Sequence, residues 1–171
     1  MSEVHSFPPV ADADATCLIL GTMPGVASLA AGRYYAHPRN GFWSLIEHVL
    51  ALPPGLDYDA RCAALRTHRI ALWDVLKHCE RSGSLDSSIA RQSMVANDFP
   101  GFLQEHGPIL CIFFNGQSAA AFWRKLVAPT LPPSLVPLTV VLPSSSPAHA
   151  GMPLAEKRLR WHKLLQGNRF Q

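Results

Sequence analysis

Charged side chains are scarce in this chain, making up 16% of its 171 residues against 48% hydrophobic. That balance excludes a disordered tail and describes a packed globule. Cysteine is scarce as well. Cys17, Cys62, Cys79 and Cys111 lie far apart with no C-x-x-C pair among them, which argues against a zinc knuckle or a disulfide framework. Reduced core thiols in a cytoplasmic protein are expected instead, because a free thiol in an apolar run behaves as a small hydrophobe. The chain opens without a basic stretch and apolar block, and its longest apolar runs, such as Ile109 to Phe114, are too short to cross a bilayer. No membrane partner is expected. The phosphate-binding patterns G-x-G-x-x-G and G-x-x-x-x-G-K-[ST] are missing, which disfavours a dinucleotide or P-loop enzyme. A hydrolase triad drawn from Ser144, Ser145 or Ser146 with His149 and Asp74 lacks the G-x-S-x-G elbow. No residue pattern calls for a metal, flavin or nucleotide cofactor.

What is present is a series of short apolar runs in a chain long enough to bury most of its own apolar surface. Residues 1–15, with Pro8 and Pro9, read as a flexible arm before one domain over 16–171. Thr16 to Leu20 is continuously apolar and ends at Gly21, the pattern of a buried parallel strand. Arg69 to Leu76, Ile109 to Phe114 and Leu138 to Leu142 repeat it. Helices are predicted over Gly41–Leu50, Tyr58–Thr67, Asn97–His106, Gln117–Leu126 and Leu154–Leu165, with loops up to Asn40 and over Lys77–Ser88. Such alternation predicts an α/β fold whose parallel sheet is covered on both faces. Ligands bind these sheets beyond the carboxyl ends of the strands. The net charge of +3 is compatible with nucleic acid without requiring it. One basic group comprises Arg61, Arg66, Arg69, Lys77 and Arg81. A second comprises Lys157, Arg158, Arg160, Lys163 and Arg169 and equally suits a solvated helix face.

The loop after the first strand reads Gly21-Thr22-Met23-Pro24-Gly25, followed by Tyr34-Tyr35-Ala36-His37-Pro38-Arg39-Asn40-Gly41-Phe42-Trp43. Further on stand Leu72-Trp73-Asp74-Val75-Leu76, Gly83-Ser84-Leu85-Asp86, Phe114-Asn115-Gly116 and Leu142-Pro143-Ser144-Ser145-Ser146-Pro147-Ala148-His149. Taken in order, these resemble the signatures of the uracil-DNA glycosylase superfamily, and in particular its hypoxanthine (deoxyinosine) branch. The resemblance implies a three-layer α/β/α sandwich around a central four-stranded parallel sheet. It also implies a monofunctional hydrolase that releases a deaminated base, hypoxanthine first, from DNA, acting as a monomer in a bacterial-type cytoplasm. Uracil or mismatch-specific removal on the same fold, and a DNA-binding member of weak catalysis, are the alternatives. Met23 keeps the last one open. Sister branches place Asn, Asp or Glu at that position to hold the attacking water, which a thioether cannot do.

Base release of this kind needs the base extruded and held, a water aimed and the leaving group stabilised. The resemblance puts Asn40 forward for the water or the base edge, and the same residue suits the N-cap of the helix near Gly41. Thr22 and His149 complete the catalytic candidates, His149 as a contact to phosphate or leaving base. Tyr35 is expected to stack on the base, with Tyr34 competing, an interaction worth roughly 1–3 kcal/mol. Asp74, at a strand end, suits the N1–H of hypoxanthine or a loop cap paired with Arg81 or Lys77. Asn115 suits a base reader or a cap, and Met23 borders the base. Gly21, Pro24 and Gly25 let the backbone approach DNA. His37, Ser144, Ser145, Ser146 and Pro147 offer a polar ridge for phosphates. Asp86 reads as an N-cap.

Overall fold

The apolar runs form the strands the sequence predicts, here in a computed structural model that describes residues 1–167. Arg169 of the second basic group lies outside them. In chain order the strands are β1 (Ser2–His5), β2 (Cys17–Gly21), β3 (Ile70–Asp74), β4 (Leu76–Arg81), β5 (Val95–Ala96), β6 (Cys111–Asn115) and β7 (Leu138–Leu142). The helices are α1 (Val26–Ala31), α2 (Phe42–Val49), α3 (Tyr58–Thr67), α4 (Phe99–Glu105), α5 (Gln117–Leu126), α6 (Leu154–Trp161) and α7 (Lys163–Gly167). A four-stranded sheet runs in the order β3-β2-β6-β7, every pair parallel. Every residue of β2 and β3 is buried, which is why their sequences are continuously apolar rather than alternating. With helices packed on it, the sheet makes the expected three-layer α/β sandwich.

Strand order decides where a ligand can go. From β2 the chain moves to β3 on one side, then returns to place β6 on the other side of β2. The loops leaving β2 and β6 therefore diverge and open a crevice at the carboxyl end of the sheet. Side-chain caps start two of the helices. Asp57 accepts from the Ala60 amide at 2.8 Å to start α3, and Asp98 accepts from the Gly101 amide at 3.0 Å to start α4. Two fully buried aromatics, Phe42 of α2 and Trp161 of α6, meet edge to face at 5.8 Å. The Trp161 indole donates to the Pro143 carbonyl at 2.8 Å and so fixes the loop after β7.

Three stretches depart from the sequence reading. Residues 1–15, expected as a loose arm, are tied down: β1 pairs antiparallel with β4, and Val10 exchanges backbone hydrogen bonds of 2.8 and 2.9 Å with Leu72. The Trp73 indole also donates to the Phe7 carbonyl at 2.9 Å. A polar strand such as Ser-Glu-Val-His carries no periodic signal, so only its distant partner reveals it. Lys77–Ser88, expected as a loop, begins as β4, whose inward positions are Leu76, Cys79 and the buried Arg81 while Lys77 and Glu80 face out. Finally, the stretch before Asn40 contains the short helix α1, closed by Gly32 at φ 62°. All four cysteines are buried, and none is in a disulfide among the described residues. No helix among the described residues is long and apolar enough to cross a membrane.

Candidate active site

The diverging loops enclose a cavity of about 530 Å³, within the ~300–1,000 Å³ usual for ligand sites. Every candidate residue drawn from the sequence borders it, from the turn after β2 to the serine loop after β7. A second cavity of about 380 Å³ adjoins it across Asp86, Asn115, Ser144 and His149, with Arg160 and Lys163 on its far side.

Ser145 holds the rim together. Its hydroxyl donates to Asn40 Oδ1 at 2.8 Å and accepts from Asn115 Nδ2 at 2.9 Å, while its amide donates to Asn115 Oδ1 at 2.8 Å. Its carbonyl accepts from the Gly41 amide at 3.0 Å. Ser145 is only 3% exposed, so the phosphate contact expected of it is corrected to an internal joint between three loops. Asn115 is likewise engaged through both ends of its amide rather than capping α5, whose N-cap carries no side-chain bond. The N-cap of α2 is Gly41 rather than Asn40, and Asn40 Oδ1 instead closes the turn leading into the helix, also accepting from the Phe42 amide at 2.9 Å. With Oδ1 doubly occupied, its Nδ2 is the end left for a ligand. Ser144 and Ser146 accept from the amides of Ser146 and Ala148 at 3.1 and 3.2 Å, stiffening their loop and keeping a proton each to donate. His37 behaves as a loop hydrogen-bonder, accepting from the Arg39 amide at 3.1 Å. Pro147 and His149 stand exposed on the rim.

Across the cavity, Tyr35 adopts a left-handed φ of 56°, uncommon for an aromatic residue. Its ring lies flat on Phe42, with centroids 3.9 Å apart and planes 19° from parallel. Asp74, ending β3 beside Gly21, is 3% exposed and its Oδ2 has no hydrogen-bond partner; neither has the Tyr35 hydroxyl. A Cβ on Gly21 would lie 2.6 Å from Asp74 Oδ1 and 2.7 Å from the Tyr35 hydroxyl, so glycine keeps that spot clear. Burial, then the neighbouring charge of Asp86, pushes the Asp74 carboxyl up to about 7, with Arg81 only partly offsetting. Burial and the Asp74 charge likewise push the Tyr35 phenol far above its ordinary range. The pairing of Asp74 with Arg81 or Lys77 is not made. Lys77 is exposed, and the Arg81 side chain, 2% exposed, donates instead to the carbonyls of Gly83, Met23 and Pro24.

Arg81 thereby clamps the turn after β2 to the loop of residues 82–88, and sequence reasoning missed that role. It also missed Asp86. Thr22, expected as catalytic in its own right, is buried and donates to Asp86 Oδ1 at 2.7 Å. Asp86 faces both cavities rather than acting as a solvent-side cap. The sequence signal was present in Gly83-Ser84-Leu85-Asp86, but nothing local says which way an acid in a serine-rich loop points. The first basic group makes no continuous patch, since Arg61, Arg66 and Arg69 pair with Glu47, Asp12 and Asp14. In the second, Lys157 is 7% exposed and donates to the His149 carbonyl at 2.9 Å. Burial lowers its pKa, and it anchors the rim loop from inside.

Residues 8–165 match the family model described as the Uracil DNA glycosylase superfamily. The chain belongs to that superfamily. Within it, a hypoxanthine DNA glycosylase of Methanosarcina acetivorans is 35% identical over 146 residues, covering 85% of this chain and 87% of that one. A second, from Methanosarcina barkeri, is 36% identical over 120 residues, covering 69% and 74%. The solution NMR structure of a Methanosarcina acetivorans protein described as a uracil DNA glycosylase superposes with a TM-score of 0.76 at 32% identity, covering 96% of this chain and 99% of that one. The parallel sheet with its crevice at the carboxyl ends of the strands is thus the fold of a superfamily member.

Proposed function

We propose that this chain is a monofunctional DNA glycosylase that hydrolyses the N-glycosidic bond of hypoxanthine flipped out of DNA. The observation that carries the reading is the convergence of Tyr35, Asn40, Asp74, Asn115 and Ser144, from separate strand ends, on one cavity. The shared name of the two hypoxanthine DNA glycosylase relatives supports the choice of base.

Each part has a task. With one face of Tyr35 covered by Phe42, the other is the platform for an everted base. Asp74 accepts from the N1–H of the purine, a donor that adenine lacks at that position. The C1′–N9 bond breaks with its electron pair moving onto the purine, the sugar becomes oxocarbenium-like, and a water oxygen bonds to C1′. Asn40, its Oδ1 held by Ser145 and Phe42, aims that water through Nδ2. The exposed His149 and Pro147 and the free protons of Ser144 and Ser146 meet the phosphates of the lesion strand. The chain acts as a monomer on nucleoid DNA in the cytoplasm and initiates base excision repair.

The test is a panel of oligonucleotides, each carrying one hypoxanthine, uracil or xanthine, in single and double strands, incubated with the protein and then treated with alkali. Strand breaks at hypoxanthine, faster than at uracil, are expected. A gel shift without breaks would leave a DNA-binding member, and preferential breaks at uracil would move the substrate.

A further inference from the structure

We propose that Asp86 is a catalytic residue that supplies the carboxylate missing from the turn after β2, facing the sugar and accepting the proton of the attacking water. The inference rests on the glycosylase reading above and names a residue that reading does not use.

Position is the first argument. Met23 in the turn is a thioether that can neither hold nor polarise a water, and Thr22, the residue before it, donates to Asp86 Oδ1 at 2.7 Å across 64 residues of sequence. An acid is thus delivered in space to the side of the turn that lacks one in sequence. Asp86 lies at the junction of the two cavities, bordering both.

Electrostatic cost is the second. Asp74, buried with an unpartnered Oδ2, shares the larger cavity with Asp86. Among the described residues neither has an ion-pair partner, and the guanidinium of Arg81 is committed to backbone carbonyls. A buried carboxyl beside a half-buried one, neither with a salt bridge, is expensive for a fold to keep. A developing sugar cation between the base and the water gives such charge a purpose. Burial pushes the Asp86 carboxyl up, partly offset by the Thr22 hydroxyl, by Arg81 and by Ser118, which suits a group that takes a proton and returns it.

The step balances. As the C1′–N9 bond breaks, the purine leaves with the electron pair and takes a proton from solvent, Asp74 keeping its hold on N1–H. The water oxygen bonds to C1′, its proton passes to Asp86, and Asp86 returns that proton to solvent. The products are free hypoxanthine and an abasic sugar bearing a C1′ hydroxyl.

The rival is a purely structural Asp86 that fixes Thr22. Asp86→Asn separates the two, because its amide oxygen still accepts from Thr22 while the charge is gone. Single-turnover release of hypoxanthine from duplex DNA is expected to fall about a hundredfold or more, with duplex affinity kept within about threefold. Asp86→Glu retains the charge and is expected to keep far more activity than the amide. Added formate is expected to recover part of the rate in Asp86→Ala. Release by Asp86→Asn within about threefold of wild type, or equal losses in the amide and glutamate variants without formate rescue, would overturn the assignment. If the wild-type chain releases no base from any duplex of the panel, the glycosylase reading itself falls. An active wild type beside an equally active Asp86→Asn sinks Asp86 alone.

Discussion

Stability should fall as pH rises through neutrality, and replacing Asp74 by Asn should flatten that fall. The carboxyl ionises at 3.8 in its ordinary setting and at about 7 in the fold. Below pH 4 both folded and unfolded chains hold the proton and Asp74 contributes nothing to the pH dependence. Between those values the unfolded chain has released it and the folded chain has not, so folding grows less favourable with every step upward. Above about pH 7 the folded chain carries the whole cost of a buried charge. Each pH unit in the window is worth about 1.4 kcal/mol, which bounds the total near 4 kcal/mol. Urea denaturation of the wild type at pH 5 and pH 8 should therefore differ by about 3 kcal/mol, the chain being less stable at pH 8. In melting temperature that is roughly 6–12 °C for a domain of this size. Asp74→Asn should remove most of the difference and be the more stable protein at pH 8. A remainder of the same sign is expected from Asp86, whose carboxyl burial also raises. An undiminished difference in the variant would refute the reasoning, because Asp74 would then ionise in the fold as it does in water.

Three further substitutions probe the rim. Asn40→Ala should slow single-turnover base release at least tenfold, about 1.4 kcal/mol of barrier, with duplex affinity largely kept; near-normal release would remove Asn40 from the site. The same change removes the hydrogen bonds to the Phe42 amide and the Ser145 hydroxyl and should lower stability by about 1 kcal/mol. Ser145→Ala leaves Asn40 and Asn115 each one partner short and should cost about 1–3 kcal/mol in urea denaturation, together with a loss of turnover resembling that of Asn40→Ala. Unchanged turnover there would mean that Asn40 needs no support. Gly21→Ala places a methyl 2.6 Å from Asp74 Oδ1 and 2.7 Å from the Tyr35 hydroxyl. It should destabilise by about 1–3 kcal/mol and lower release more than duplex affinity; normal release would show that the cleared spot is not part of the pocket.

The sequence by itself determined the parallel sheet and the ends of its strands. Burial on both faces of β2, β3 and β6 leaves a local trace in continuous apolar runs, the edge strand β7 reads the same though largely exposed, and the Gly, Asp, Asn or Pro that stops each run places Gly21, Asp74, Asn115 and Pro143 on one side of the molecule. It also carried the motifs that match the superfamily, and every residue picked from them reached the cavity. Which of those residues face the ligand was decided only by tertiary structure. Ser145 and Ser146 are neighbours with the same hydroxyl, yet one is a buried joint and the other keeps a proton for the rim. Arg81 and Arg66 are both basic loop-flanking residues, yet one is a buried clamp on two turns and the other a surface ion pair. Asp86 became a pocket carboxylate through a partner 64 residues away, and β1 became a strand through β4. The physical reason is common to all of these. Apolar periodicity is written within a few residues of itself, whereas the direction of a polar side chain depends on which distant donor or acceptor the fold brings within about 3 Å of it.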